Sequence, residues 1–300
     1  MTALSSRRAA EKVFAFLELI RLPNLFTAVA DVLAGVFIIG AFDGAKGGCG
    51  GLFLCSVALY AGGCVLNDLC DRERDAVERP RRPLPSGRVT PLQAWALLGL
   101  LFVLGLLGAC LAGRRALVLA VVLLVFIVVY DVWAKSGNVR GPLVMGGCRA
   151  LNLLLGMSPG LAAVNPALFL FPVLTFFYVV SLTTLSRFEV AGDFREGQTA
   201  VLGGWLLVVT ALPVMSCARV VRVAGLGFLA VLVLLTGPLL ASVCRHPRPA
   251  KIRRGVGMMI VCLPVLDAAY AAGVRGWTFG LPVALLGLAS RLLGRRFYLT

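Results

Sequence analysis

The chain has 300 residues, of which 59% are hydrophobic and 14% charged, and its mean hydropathy is +0.93. A soluble domain carries roughly 45–50% apolar and about 25% charged residues, so a water-soluble fold is excluded and an integral membrane protein is indicated. The formal net charge of +15 would suit nucleic acid, but the basic residues lie in short turns between apolar runs, not in one stripe; this excludes that partner and marks them as topology determinants.

A membrane-crossing helix needs about 20 residues with few charges. Ten spans are predicted on that criterion, at 22–42, 51–66, 91–112, 116–134, 142–163, 167–185, 200–218, 223–243, 256–273 and 277–293. Arg7 and Arg8 precede the first, which contains Asp31 and runs too long for a signal-peptide core, so it reads as an uncleaved span. Arg291 interrupts the last, which has the composition of either a span or an interfacial helix. The expected fold is all-α: a polytopic transmembrane bundle of nine to ten spans, forming a single domain over 1–300. With the N-terminus in the cytoplasm, 22 of the 29 Lys and Arg residues fall on the cytoplasmic side and 6 opposite, which predicts both termini inside. Nine cysteines form no C-x-x-C pair and His246 is the single histidine, which argues against a zinc or haem site; the cysteines read as small core hydrophobes.

The second span ends in Asn67-Asp68-Leu69-Cys70-Asp71-Arg72-Glu73-Arg74-Asp75. On a helix, Asn67, Asp71 and Asp75 share one face at i, i+4 and i+8, with Asp68 seven residues before Asp75. These like charges repel at a membrane surface unless a divalent cation sits among them, and all-oxygen ligands beside arginines suit Mg²⁺ carrying a phosphate group. The alternative reading is a solvated mixed-charge loop. A second acidic pair, Glu189 and Asp193, follows the sixth span at i, i+4, an echo of the first about 120 residues later. Two such clusters on one membrane side suggest two Mg²⁺ ions bridged by a diphosphate, against the plainer alternative of surface ion pairs with Arg187 and Arg195. Arg72, Arg74, Lys135 and Arg140 share those connections and are placed to take diphosphate oxygens. The proline-rich run from Arg79 to Arg88 cannot be helical and is expected to lie as a lid or edge over the first cluster. Arg21, Asn24, Asp31, Arg149, Asn152 and Asp267 fall within or at the edges of spans, where ionisable groups cost a few kcal/mol unless paired. Arg149 and Asn152, one helical turn apart, are expected to line a cavity, and Asp267 to partner such an arginine.

Four strings together resemble the UbiA superfamily of intramembrane prenyltransferases: Ile20-Arg21-Leu22-Pro23-Asn24 at the first helix, Asn67 to Asp75 as its first Asp-rich motif, Arg79 to Gly87 as the sequel Arg-Pro-x-Arg-Pro-Leu-Pro-Ser-Gly, and Tyr130 to Lys135 as its Tyr/Lys element. Residues 189–199 stand in the place of its second Asp-rich motif, and the resemblance covers about 15–275. It implies a helical bundle around a central cavity capped by cytoplasmic loops. It further implies Mg²⁺ held by Asn67, Asp68, Asp71 and Asp75, a second ion at Glu189 and Asp193, and diphosphate gripped by Arg72, Lys135 and Arg140. Asp71, Asp75 and Lys135 would be catalytic in transferring a prenyl group from a polyprenyl diphosphate to an aromatic or lipid-like acceptor within the membrane, by ionisation to an allylic carbocation, with Arg21, Asn24, Arg149 and Asn152 as the expected acceptor contacts. Three departures are present: Glu189 replaces an Asp, Tyr130 to Lys135 is one residue longer than Tyr-x-x-x-Lys, and Gly197-Gln198-Thr199 is one shorter than Gly-x-x-Thr. The strings at 148–152 and 186–190 also resemble UbiA-like proteins of bacterial Ebo gene clusters, and a bacterial inner membrane is the expected location. The alternative function is a non-catalytic member that binds or moves a prenylated lipid. An ion-coupled transporter fits less well, because the charges crowd one face.

Overall fold

The computed structural model describes residues 2–40, 49–163, 165–189 and 195–294. Among them there is no strand, and the α-helices run in chain order as α1 (Thr2–Leu19), α2 (Leu22–Ile38), α3 (Cys49–Cys70), α4 (Arg72–Glu78), α5 (Pro91–Ala112), α6 (Arg114–Val132), α7 (Arg140–Met157), α8 (Leu170–Ser186), α9 (Arg195–Cys217), α10 (Ala224–Arg245), α11 (Pro249–Val261), α12 (Leu263–Arg275) and α13 (Trp277–Gly294). Eight helical stretches are long and apolar enough to cross a membrane, α11 and α12 counting as one; the pair α1–α2, bent by 47°, makes nine. The predicted fifth span is present as α7 but is not among these, because Arg140, Arg149 and Asn152 dilute its apolar content. It is instead held by packing against α2, α6 and α8.

The bend between α1 and α2 falls on Arg21, which adopts the left-handed conformation at φ 51°, ψ 54°. For a residue with a Cβ this costs on the order of 1–2 kcal/mol. Pro23 then stands in the first turn of α2, where its missing N–H is harmless. The proline-free alternative, one straight helix through Arg21, would direct its side chain elsewhere; the kink turns it toward the end of α3.

Two hydrophobic cores flank a central seam formed by α2 and α7. Ala30, Ala34 and Ile38 of α2, with Leu153 and Met157 of α7, join the core built with α8 to α13. Val32 and Val36, with Leu155, join the core built with α1, α3, α5 and α6. The seam is close because it is made of backbone. A Cβ at Gly35 would stand 2.6 Å from the Leu153 carbonyl and 2.8 Å from the Gly156 Cα, and one at Gly156 would press on Val32. Such small-residue contacts let helices approach in a membrane, where no hydrophobic force drives them together.

Polar groups rivet the same seam. Arg149 Nη1 donates to Asp31 Oδ2 at 2.7 Å and its Nη2 donates to Thr27 Oγ1 at 2.5 Å. Asn152 Nδ2 donates to Asp31 Oδ2 at 2.8 Å and to the Ala28 carbonyl at 2.9 Å. Asp267 of α12 is buried in the same electrostatic neighbourhood as Asp31 and Arg149, and the Arg149 guanidinium lies 5.4 Å from the Tyr60 ring centroid on α3. Asp31 and Asp267 are 0% and 1% exposed, so this network is inside the protein, not at a lipid boundary. Outward-facing Leu100, Val103, Leu107 and Leu111 of α5 are exposed, as a lipid-facing surface requires.

Two outcomes test this seam. Gly156→Val forces a branched side chain against Val32 and is expected to destabilise by about 1–3 kcal/mol or more, read as a lower unfolding midpoint in detergent. Arg149→Leu leaves Asp31 buried without its counter-charge and is expected to cost about 3–5 kcal/mol, whereas Arg149→Leu combined with Asp31→Leu recovers much of that loss.

Candidate active site

The Asn67-to-Asp75 string does not form one continuous helix. α3 ends at Cys70, Asp71 turns the chain with φ −93° and ψ 7°, and α4 begins at Arg72. Hydrogen bonds from the Asp71 and Asp75 amides to the Asn67 and Asp71 carbonyls nevertheless keep helical spacing across the junction. Asn67, Asp68, Asp71 and Asp75 therefore stay on consecutive turns, with Asp68 and Asp75 buried and Asp71 partly so.

Three cations from three separate segments meet these acids. Arg21 Nη2, from the α1–α2 kink, donates to Asn67 Oδ1 at 3.2 Å and to Asp68 Oδ1 at 3.1 Å. Arg82, from the proline-rich run, donates through Nη1 to Asp75 Oδ2 at 2.6 Å and to Asp68 Oδ1 at 3.3 Å. Lys135 Nζ lies 2.8 Å from Asp71 Oδ1. These residues are partly buried, where ion pairs are screened less than at an open surface.

Local structure explains each placement. α6 ends at Val132, Trp133 leaves helical geometry, and a 3-10 turn over Ala134–Ser136 carries Lys135 back toward Asp71. The extra residue between Tyr130 and Lys135 is taken up by that break. Arg187 fastens the turn from α8, donating to the Lys135 carbonyl at 3.3 Å, the Gly137 carbonyl at 2.8 Å and Asn138 Oδ1 at 2.6 Å. The run from Arg79 to Thr90 is non-helical, as its prolines dictate, and is folded onto the acids by Arg82 with Leu84 and Val89 buried beneath it. Gly87 turns it at φ 73°, and Arg88 ties it to Glu18 of α1 at 2.7 Å.

The other expected residues are distributed differently. Arg72 is exposed and lines a shallow groove with Glu73, Leu84 and Pro85. Arg140 stacks 4.3 Å over the Trp133 ring centroid and donates to Ser136 Oγ at 2.9 Å. Asn24 is buried in the first turn of α2, and Arg149 and Asn152 direct the donors named above into the α2 seam. Glu189 lies in the turn after α8, where burial pushes its carboxyl up while Arg253 and Arg79 oppose that shift. Arg79 belongs to the segment that covers the first cluster, so Glu189 shares its electrostatic neighbourhood. Asp193 lies outside the described residues.

One residue of the site is absent from the sequence reading. Asp131, 4% exposed near the end of α6, accepts a hydrogen bond from Asn67 Nδ2 at 2.8 Å and lies 4.0 Å from Lys135 Nζ. Its signal was an acid closing an otherwise apolar span four residues before a lysine. Arg82, expected only within a lid, and Arg21, expected only as an acceptor contact, both touch the acids.

As they stand, no three acidic side chains among the described residues converge as a ligand set. The donor chemistry nonetheless fits a hard divalent cation. Asn67 Oδ1 and Asp68 Oδ1 already converge on one positively charged nitrogen of Arg21. The ion pairs engage one oxygen each of Asp71 and Asp75, leaving the other outside these contacts. All of these ligands are oxygen, the set that Mg²⁺ prefers.

The UbiA prenyltransferase family matches this chain over residues 28–254. A digeranylgeranylglyceryl phosphate synthase of Methanopyrus kandleri is 33% identical over 277 residues, covering 89% of this chain and 91% of that protein. One of Methanothrix thermoacetophila is 33% identical over 181 residues, covering 60% of this chain and 64% of that protein. Among solved structures, a UbiA homologue from Aeropyrum pernix K1 has a TM-score of 0.64 at 16% identity, covering 84% of this chain and 97% of that one. A UbiA homologue from Archaeoglobus fulgidus bound to GPP and Mg²⁺ has a TM-score of 0.54 at 15% identity, covering 90% of this chain and 99% of its own. The all-helical bundle thus has its counterpart in known proteins, and this chain belongs to the UbiA prenyltransferase family.

Proposed function

We propose that the chain transfers a prenyl group, with Mg²⁺, from an allylic polyprenyl diphosphate to a lipid-like acceptor within the membrane, with its motif loops on the cytoplasmic side. The observation that carries this reading is the meeting of the four oxygen-bearing residues at 67–75 with Arg21, Arg82 and Lys135. An alternating set of anions and cations suits a bound metal diphosphate, whose own charges replace some of the internal ion pairs. The names of the similar synthases favour a glyceryl-phosphate lipid over an aromatic ring as acceptor.

Asn67, Asp68, Asp71 and Asp75 would hold Mg²⁺, with Glu189 and Asp193 as the ligands of a second ion. The metal supplies Lewis-acid neutralisation of charge developing on the leaving pyrophosphate. Lys135, Arg82 and Arg21 supply fixed positive charge for the same oxygens, a grip that shifts from the expected Arg72 and Arg140 toward residues that touch the acids. The allylic C–O bond breaks with its electron pair leaving on pyrophosphate, and the acceptor captures the carbocation and gives up a proton, which the released pyrophosphate is able to accept. Membrane lipid surrounds the bundle, and the apolar spans shield the prenyl tail and carbocation from water. Arg21, which touches Asn67 and Asp68 where α2 starts, and Asn24 in the first turn of α2 are assigned to the acceptor headgroup. Arg149 and Asn152, the other expected acceptor contacts, instead direct their donors to Asp31, Thr27 and Ala28 of α2 and serve the frame of the site.

The test is pyrophosphate release by purified protein with Mg²⁺, geranylgeranyl diphosphate and a panel of glyceryl-phosphate and aromatic acceptors. Asp71→Ala is expected to lower turnover by at least about 100-fold, since it removes both a metal ligand and the partner of Lys135. Full turnover by Asp71→Ala would reject the reading, and tight diphosphate binding without turnover against the whole panel would assign the chain to lipid binding instead. Arg82→Ala is expected to lower kcat and kcat/KM together with little change in KM, because Arg82 is assigned to a charge that grows toward the transition state.

A further inference from the structure

A carboxamide is a useful ligand for a hard cation only through its oxygen, yet its two ends have nearly the same size and exchange by a half-turn about one bond. What decides the orientation of Asn67 is its neighbours. Its Nδ2 faces Asp131 Oδ1 at 2.8 Å, and its Oδ1 faces Arg21 Nη2 at 3.2 Å. An ionised carboxylate only accepts and a guanidinium only donates, so the reversed amide would set oxygen against oxygen at one end and nitrogen against nitrogen at the other. The acceptable orientation is the one that sends Oδ1 toward the nitrogen shared with Asp68, the point where positive charge is already held.

Asp131 is poorly suited to its place by any local criterion. It is a nearly buried acid at the C-terminal end of an apolar helix, where the helix dipole disfavours negative charge and desolvation disfavours it further. An aliphatic residue would serve the packing of α6 better. Its contacts are with Asn67, and through 4.0 Å with Lys135, whose Nζ is itself 2.8 Å from Asp71. One side chain from outside both acidic strings therefore touches two residues of the site and reaches a third through Lys135.

We infer that Asp131 is a positioning residue: it locks the Asn67 amide with its oxygen toward the metal position and steadies Lys135 beside Asp71. The inference rests on the reading of Asn67 as a ligand. Outer groups that orient ligands in this way typically change metal affinity by 10- to 100-fold when removed.

The experiment measures Mn²⁺ binding to the purified full chain in detergent by the loss of the free-ion electron paramagnetic resonance signal, with inorganic pyrophosphate present, and needs no turnover. Asp131→Asn, which lets two amides pair either way round, is expected to weaken Mn²⁺ binding by roughly 10- to 100-fold while leaving the helical content intact. The reciprocal exchange, Asn67→Asp with Asp131→Asn, returns a donor at 131 facing an acceptor at 67 and is expected to restore binding. Unchanged affinity in Asp131→Asn would overturn the inference alone, as would failure of the exchange to restore it, which would mark a general structural defect. Absence of Mn²⁺ binding by the unsubstituted protein would overturn the metal reading and this inference with it.

Discussion

Four oxygen-bearing side chains on consecutive turns at the end of a membrane helix create an electrostatic problem that organises this end of the protein. At partly buried positions, unpaired carboxylates cost several kcal/mol each, and like charges one turn apart add to that cost. The chain brings compensating charge from three directions: Arg21 from a kink between α1 and α2, Arg82 from a proline-rich segment that cannot be helical, and Lys135 from a 3-10 turn after α6. Each of these irregular elements interrupts a regular helix where a basic side chain must be delivered. The site is thus built from breaks in the bundle, and the breaks carry the chemistry.

Those breaks need a rigid frame. The seam of α2 and α7 supplies it, with Gly35 and Gly156 allowing backbone contact and Arg149, Asn152 and Asp31 pinning register across α2 and α7. Small residues alone would permit sliding. Hydrogen bonds between named donors and acceptors at 2.5–2.9 Å do not, since a slip of one turn would strand a buried charge. Because α2 begins at the Arg21 kink, fixing α2 in the seam also fixes where Arg21 emerges. Tyr60, one face of α3 below Asn67, faces the Arg149 guanidinium and links seam to site.

The legible parts of the sequence were those set by spacing along one element. The helical periodicity of Asn67, Asp71 and Asp75 and the incompatibility of Arg79 to Arg88 with a helix are local properties, and both hold in the structure. The partner of the buried arginine was not legible: Asp267, the expected one, makes no ion pair with Arg149, which is answered by Asp31 at 2.7 Å. What escaped was pairing across elements. Arg72 stands inside the acidic string but points to an outer groove, whereas Arg82 ten residues later reaches the acids. Arg140 is near Lys135 in sequence but turns onto Trp133.

Hydropathy and the helical repeat act over a few neighbouring residues, so membrane residence, most of the spans and the acidic, oxygen-rich cluster at the end of α3 are legible in the sequence. Helix packing chose which cations answer that cluster, brought Asp131 to the Asn67 amide, and set Arg149 and Asn152 on α2. Those contacts join residues 31 and 149, 67 and 131, or 21 and 68, and their partners are chosen by helix packing and by the kinks between helices, which no local pattern of residues encodes.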